Sequence, residues 1–147
     1  MLGTSSSRNK TRRIPPMRAV IMVESKAMRS IVKRVLGECG YDDTVEVAGG
    51  FDPLGTLESL PVGDGNAPDL LLVDGDPHAS SLEATIRALR TAPRWLTAAV
   101  VVLATEASID SRRVVAAGAD AVVAKPFTTT SLVEHVEAAR RIGAGIS

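Results

Sequence analysis

Asp74, Gly75 and Asp76 close the stretch "LLLVDGDPH", directly after four apolar residues. A run of Leu and Val belongs inside a sheet, and an unpaired charge is expensive there. Asp74 therefore either emerges into solvent or belongs to a site that uses its charge. Other polar residues stand in comparable places. Glu24 follows "RAVIMV", Thr105 follows "AAVVVLA", and Lys125 with Pro126 follows "AVVA". Converging carboxylates repel one another, and a hard cation such as Mg²⁺ relieves that with oxygen ligands. A facing lysine adds positive charge. With a phosphate donor present, one carboxylate becomes a phosphoryl acceptor, with the cationic groups offsetting charge on the transferring group.

These residues meet only if the elements before them lie side by side. "RAVIMV" (18–23), "TVEVA" (44–48), "LLLV" (70–73), "AAVVVLA" (98–104) and "AVVA" (121–124) read as five strands. Between the first two, Met28, Ile31, Val32, Val35, Leu36 and Cys39 form one stripe of an amphipathic helix. Ser25 caps its start and Gly40 ends it. A short helix starts near Pro53, and a flexible loop covers 61–69. Ser80 with Glu83 suggests a capping box for a helix carrying Leu82, Ile86 and Leu89. A helix from about Ser108 to Ala117 stops at Gly118. Ser131 with Glu134 suggests a second box, opening a helix with Leu132, Val136 and Ala139 inward. Such alternation predicts a parallel sheet covered by helices on both faces. Ligands of open sheets of this kind bind beyond the carboxyl ends of the strands. Glu24, Asp74, Asp76, Thr105 and Lys125 all fall at that edge.

Composition narrows the classes. The chain has 147 residues, 45% hydrophobic and 23% charged, with formal net charge zero. That is an ordinary globular balance, with no general attraction to nucleic acid or anionic membranes. One cysteine and two histidines exclude an internal disulfide and a Cys/His zinc site. No apolar run is long enough to cross a bilayer, and the basic start makes a poor signal peptide. A cytoplasmic location is expected. Residues 1–17 read as a disordered basic tail, 18–142 as one folded domain and 143–147 as a flexible end. In the tail, Arg8, Lys10, Arg12 and Arg13 read as a solvated arm, with contact to a phosphate-rich partner as the other reading.

In "MRSIVKRVLGECGY", "LLLVD" and "AAGADAVVAKPFT", taken in that order and spacing, the sequence resembles the receiver domains of bacterial response regulators. The likeness to single-domain, CheY-like receivers runs from about Arg18 to Arg141. It implies a doubly wound, flavodoxin-like α/β fold: a five-stranded parallel sheet of order 2-1-3-4-5 with five helices. It also implies that Asp74 accepts a phosphoryl group and that Glu24, Asp74 and Asp76 bind Mg²⁺, Asp76 through its backbone carbonyl. Lys125 would contact the phosphoryl group across a cis bond to Pro126. Thr105 would supply the mobile hydroxyl, unless the register puts Ala104 there. The implied partners are a histidine kinase or phosphotransfer protein and a downstream protein target. No output or DNA-binding domain is expected, so the product would be a binding event, with no membrane involved.

The departures are specific. Val23 replaces one acid of the usual pair, so Mg²⁺ should bind weakly. Val122 stands where an aromatic ring normally reports phosphorylation, and Pro77 comes one residue early. These motivate an alternative, a phosphorylation-independent adaptor acting through the fourth helix and fifth strand. Two arginine pairs, Arg112–Arg113 and Arg140–Arg141, raise a cyclic dinucleotide as a further ligand, although paired arginines usually only solvate a helix. "VDGDP" superficially resembles the Asp-x-Asp motif of haloacid-dehalogenase-type phosphatases. That motif normally ends a first strand and is followed far downstream by an acidic pair, which is missing after Lys125. A non-enzymatic protein is therefore expected. His78 and His135 read as surface residues without partners, and Trp95 as either packed or part of a contact surface.

Overall fold

The computed structural model describes residues 17–48, 52–60 and 67–143. The basic residues of the tail, most of the 61–69 loop and the last four residues lie outside these. Met17, placed in the tail by its sequence context, packs against the core, and its carbonyl accepts from the Asp43 N–H at 3.3 Å.

Five strands alternate with helices. They are β1 (Arg18–Met22), β2 (Asp43–Val47), β3 (Leu70–Asp74), β4 (Ala99–Ala104) and β5 (Ala121–Ala124). All neighbouring pairs are parallel, in the order β2-β1-β3-β4-β5. The helices are α1 (Lys26–Glu38), α2 (Pro53–Glu58), α3 (Leu82–Leu89), α4 (Ser111–Ala117) and α5 (Thr129–Gly143), with a 3₁₀ turn at Asp76–His78. The parallel sheet expected from the alternation is present, in the doubly wound strand order that the resemblance implies. No helix among the described residues is long and apolar enough to cross a membrane.

The period-two alternation of the strands divides the core in two. Ile21, Leu72, Val101 and Leu103 pack toward α1 and α5, meeting Val32, Leu36, Leu132 and Val136. Val20, Met22, Leu71, Val73 and Val102 pack toward α2, α3 and α4, meeting Leu57, Ile86 and Val114. Trp95 is fully buried in this second layer, so it packs rather than faces a partner. β3 and β4 are buried along their whole length, which is why they read as unbroken apolar runs.

Several local expectations need correction. β1 ends at Met22 rather than Val23, and α4 begins at Ser111 rather than near Ser108. The Asp110 carboxylate caps α4 through the Arg112 and Arg113 N–H groups. The Ser80–Glu83 box does not form. α3 starts at Leu82 after Ser81 without a side-chain cap, and Glu83 instead pairs with Arg113 at 3.3 Å and Arg87 at 3.9 Å. The Ser131–Glu134 box is also absent: α5 opens at Thr129, and the Thr128 hydroxyl accepts from the Ser131 N–H at 3.0 Å. Ser25 does cap α1, accepting from the Met28 N–H at 3.2 Å, and Gly40 follows it with φ +99°. Ile31, assigned to the inward stripe of α1, is 44% exposed, while Val32, Val35, Leu36 and Cys39 are buried.

One polar tie crosses the second layer. Arg90, just after α3, donates to the Ala98 carbonyl at 2.7 Å, the Gly118 carbonyl at 2.9 Å and Asp120 Oδ2 at 2.8 Å. Asp120 Oδ2 also accepts from the Val100 N–H at 2.8 Å. Arg90 thereby fixes the starts of β4 and β5 relative to α3. Arg90→Met should destabilise the protein by about 1–3 kcal/mol, because it leaves Asp120 without its cation. Asp120→Asn should cost less, and the double variant less than the two single losses together, since both act on one network. Urea unfolding of the four proteins checks this.

Candidate functional site

The register aligns the carboxyl ends of the central strands: Met22 pairs with Val73, Asp74 with Leu103, and Ala104 with Ala124. Strand order reverses between β1 and β3, so a crevice opens beyond them. Within two residues past these strand ends stand Glu24, Asp76, Thr105 and Lys125.

Asp74 remains almost buried, 5% exposed, and so does not emerge into solvent. Its Oδ1 accepts from Lys125 Nζ at 2.7 Å and from the Asp76 N–H at 3.3 Å. Lys125 Nζ also donates to Asp76 Oδ2 at 3.0 Å. The Lys125–Pro126 bond is cis. The Asp76 carboxylate accepts two more bonds, from the Thr105 N–H to Oδ1 and from the Thr105 hydroxyl to Oδ2, both at 2.9 Å. Ala104 is buried at the end of β4, and its carbonyl accepts from the Lys125 N–H at 3.0 Å, so the hydroxyl at this edge belongs to Thr105.

Asp74, Asp76, Thr105 and Lys125 are therefore brought together. Asp76 enters with its side chain, bonded to Thr105 and Lys125. Glu24 Oε2 lies 3.4 Å from His78 Nε2. His78 is 9% exposed, which corrects its reading as a surface residue. Its sequence signal was slight, since "DPH" after a strand reads as a turn. His135 also has a partner, with Nδ1 2.7 Å from the Ser131 carbonyl.

Among the described residues no group of three or more His, Cys, Asp or Glu is gathered to hold a metal. Asp74 and Asp76 instead share the Lys125 ammonium, a cation the chain supplies itself. The arginine pairs do not form one basic face either. Arg113 is on α4 and pairs with Glu83, whereas Arg140 is on α5, across the sheet, paired with Glu137 at 2.6 Å and lying over the Tyr41 ring.

The electrostatics follow the bonds. Burial pushes the Asp76 carboxyl up, but the Thr105 N–H, Lys125 and the Thr105 hydroxyl outweigh it and hold the pKa below the usual 3.8. Burial pushes Lys125 down, but its bonds to Asp74 and Asp76 and their charges raise it above the usual 10.5.

Gly75 sets the turn between the two acids. Its N–H donates to the Leu103 carbonyl at 2.7 Å, and a Cβ there would meet Leu82 Cδ2 and Val102 Cγ1 at 3.0 Å. Beside the site, a groove of about 810 Å³ runs between α1 and the β5–α5 connection. Met28, Ile31 and Phe127 line it, with Thr105 and Lys125 at its polar side. The exposure of Ile31 is thus explained by a recess that the helical stripe alone could not reveal.

No family model matches the sequence, and no curated protein matches it. The fold nevertheless has clear structural counterparts among the receiver domains of signal-transduction proteins. The chemotaxis response regulator CheY4 of Vibrio cholerae is similar at 19% identity and a TM-score of 0.67, over 84% of this chain and 98% of that one. A signal receiver domain from Clostridium thermocellum is similar at 16% identity and a TM-score of 0.69, over 87% and 99%. One from a signal transduction histidine kinase of Syntrophus aciditrophicus reaches 26% identity and 0.60, over 89% and 92%. The chain has the fold of a CheY-like response-regulator receiver domain, in divergent form.

Two outcomes follow from this geometry. The stability that ionised Asp76 contributes is present above the usual carboxylate range and lost as pH falls through its lowered pKa. Carboxyl-carbon NMR should show Asp76 titrating below 3.8, and Lys125→Met should move that midpoint upward. Separately, Gly75→Ala should cost about 1 kcal/mol in urea unfolding: crowding against Leu82 and Val102 exceeds the backbone-entropy gain of replacing glycine.

Proposed function

We propose that the protein is a single-domain response regulator in which Asp74 accepts a phosphoryl group from a histidine kinase or phosphotransfer protein. One observation supports this most: Lys125 Nζ, from the end of β5, lies 2.7 Å from the Asp74 carboxylate at the end of β3. That contact joins residues 51 apart in sequence. It places a cation where charge builds up as a phosphoryl group transfers. The likeness to receiver domains agrees with this reading.

In the reaction, an Asp74 carboxylate oxygen attacks the phosphorus of the donor. An O–P bond forms to Asp74 as the bond to the donor's leaving group breaks. Oδ1 is held by Lys125 and the Asp76 N–H, and none of these bonds uses Oδ2. The donor approaches through the groove beside α1, since Thr105 and Lys125 stand at its polar side. Lys125 and the Thr105 hydroxyl then hold phosphoryl oxygens. The new charge biases the β4–α4 junction and the surface that a downstream protein target reads. The protein does no chemistry on a released substrate, and a cytoplasmic location fits this role.

Incubation with acetyl phosphate in Mg²⁺ buffer, followed by intact-mass measurement, checks the proposal. The expected result is a gain of one phosphoryl group, lost in Asp74→Asn and slowed about 10²-fold or more in Lys125→Ala, the scale for removing one charge-stabilising group. If the wild-type protein stays unlabelled while a standard receiver labels fully, the phosphorylation-independent adaptor takes its place.

A further inference from the structure

The groups that would hold a phosphoryl oxygen already hold another anion. The Thr105 N–H, the Thr105 hydroxyl and Lys125 Nζ come from two different strand ends and converge on the two oxygens of one side chain, Asp76. No other described carboxylate makes bonds to all three. The reach is short: Asp76 lies two residues past Asp74 and opens the 3₁₀ turn. We propose that the Asp76 carboxylate is a tethered internal anion occupying the pocket that a phosphoryl group on Asp74 would enter, so that loading the site requires Asp76 to leave. This rests on the reading of Asp74 as the acceptor, and adds a regulatory element to that same site.

The physical argument is competition. A carboxylate and a phosphoryl group both offer paired anionic oxygens to charge-assisted donors. One held on the same chain, beside the pocket, acts at a high effective concentration. An incoming anion finds a competent pocket only in the fraction of molecules whose Asp76 has swung away, and its apparent affinity falls by that fraction. The β4–α4 junction is meanwhile held by Thr105 in the anion-bound arrangement while Asp74 is bare.

Inorganic phosphate is the probe, with the Thr105 amide resonance of the ¹⁵N-labelled full chain as the readout. Asp76→Ala and Asp76→Ser should bind phosphate at least about tenfold more tightly than the wild type, as expected for a pocket otherwise closed nine times in ten. Glu106→Gln removes the same charge from the exposed residue next to Thr105, and should stay close to the wild type. The proposal is overturned if the Asp76 variants bind no more tightly, or if Glu106→Gln gains as much as they do. It is also overturned if both Asp76 variants lose their folded amide spectrum, since Asp76 would then be a structural tie. Non-covalent binding is read independently of acetyl phosphate labelling. A tenfold gain without labelling removes the acceptor reading alone, and labelling without a gain removes this one alone.

Discussion

The Lys125 ammonium, shared between the carboxylates of Asp74 and Asp76, is the contact on which the candidate site depends. Two acids closing an apolar strand would repel each other by an energy on the order of a few kcal/mol in a partly buried setting. The lysine reverses the sign of that interaction. It also links the ends of β3 and β5, which are not neighbours in the sheet, across the end of β4. Lys125 is itself only 19% exposed, so its charge is not diluted by bulk water. The opposed pKa directions of Asp76 and Lys125 express the same pairing from either side.

That contact is possible because the rest of the chain is apolar in the right places. β3 and β4 lie buried at the centre of the sheet and leave their carboxyl ends at one edge. Helices cover both faces, so polar groups gather at the ends of the strands. Arg90 and Asp120 perform a comparable task at the opposite edge, closing the starts of β4 and β5 with charge-assisted bonds. The domain thus has an ionic tie at each end of its sheet and two apolar layers between.

The departures from the receiver pattern that the sequence resembles lie mainly in how charge is balanced at this edge. With Val23 buried in the core, the first strand offers Glu24 alone, and Glu24 turns toward His78. The second acid of β3's end, Asp76, turns toward Thr105 and Lys125. Val122 packs at the margin of the second layer, without a ring to move between two positions. The polar contacts at this edge therefore centre on Thr105, Asp76 and Lys125.

Spacing along the chain was enough to place the elements and the candidate residues at their ends. Apolar runs marked four of the strands, alternation marked β2, and the stripe on α1 put Val32, Val35 and Leu36 in the core. Such features are local, because strand and helix periods decide which face a residue occupies. Caps were less certain, because a hydroxyl caps only where the chain turns: Ser25 does so, while Thr128 rather than Ser131 serves α5. Which way Asp76 and Glu24 point, and that His78 is buried, could not be read from spacing. Those choices depend on partners brought close by the sheet register, 29 residues away at Thr105 and 49 at Lys125. The primary structure thus specified which charges would share an edge, and the packing of distant segments selected which of them would pair.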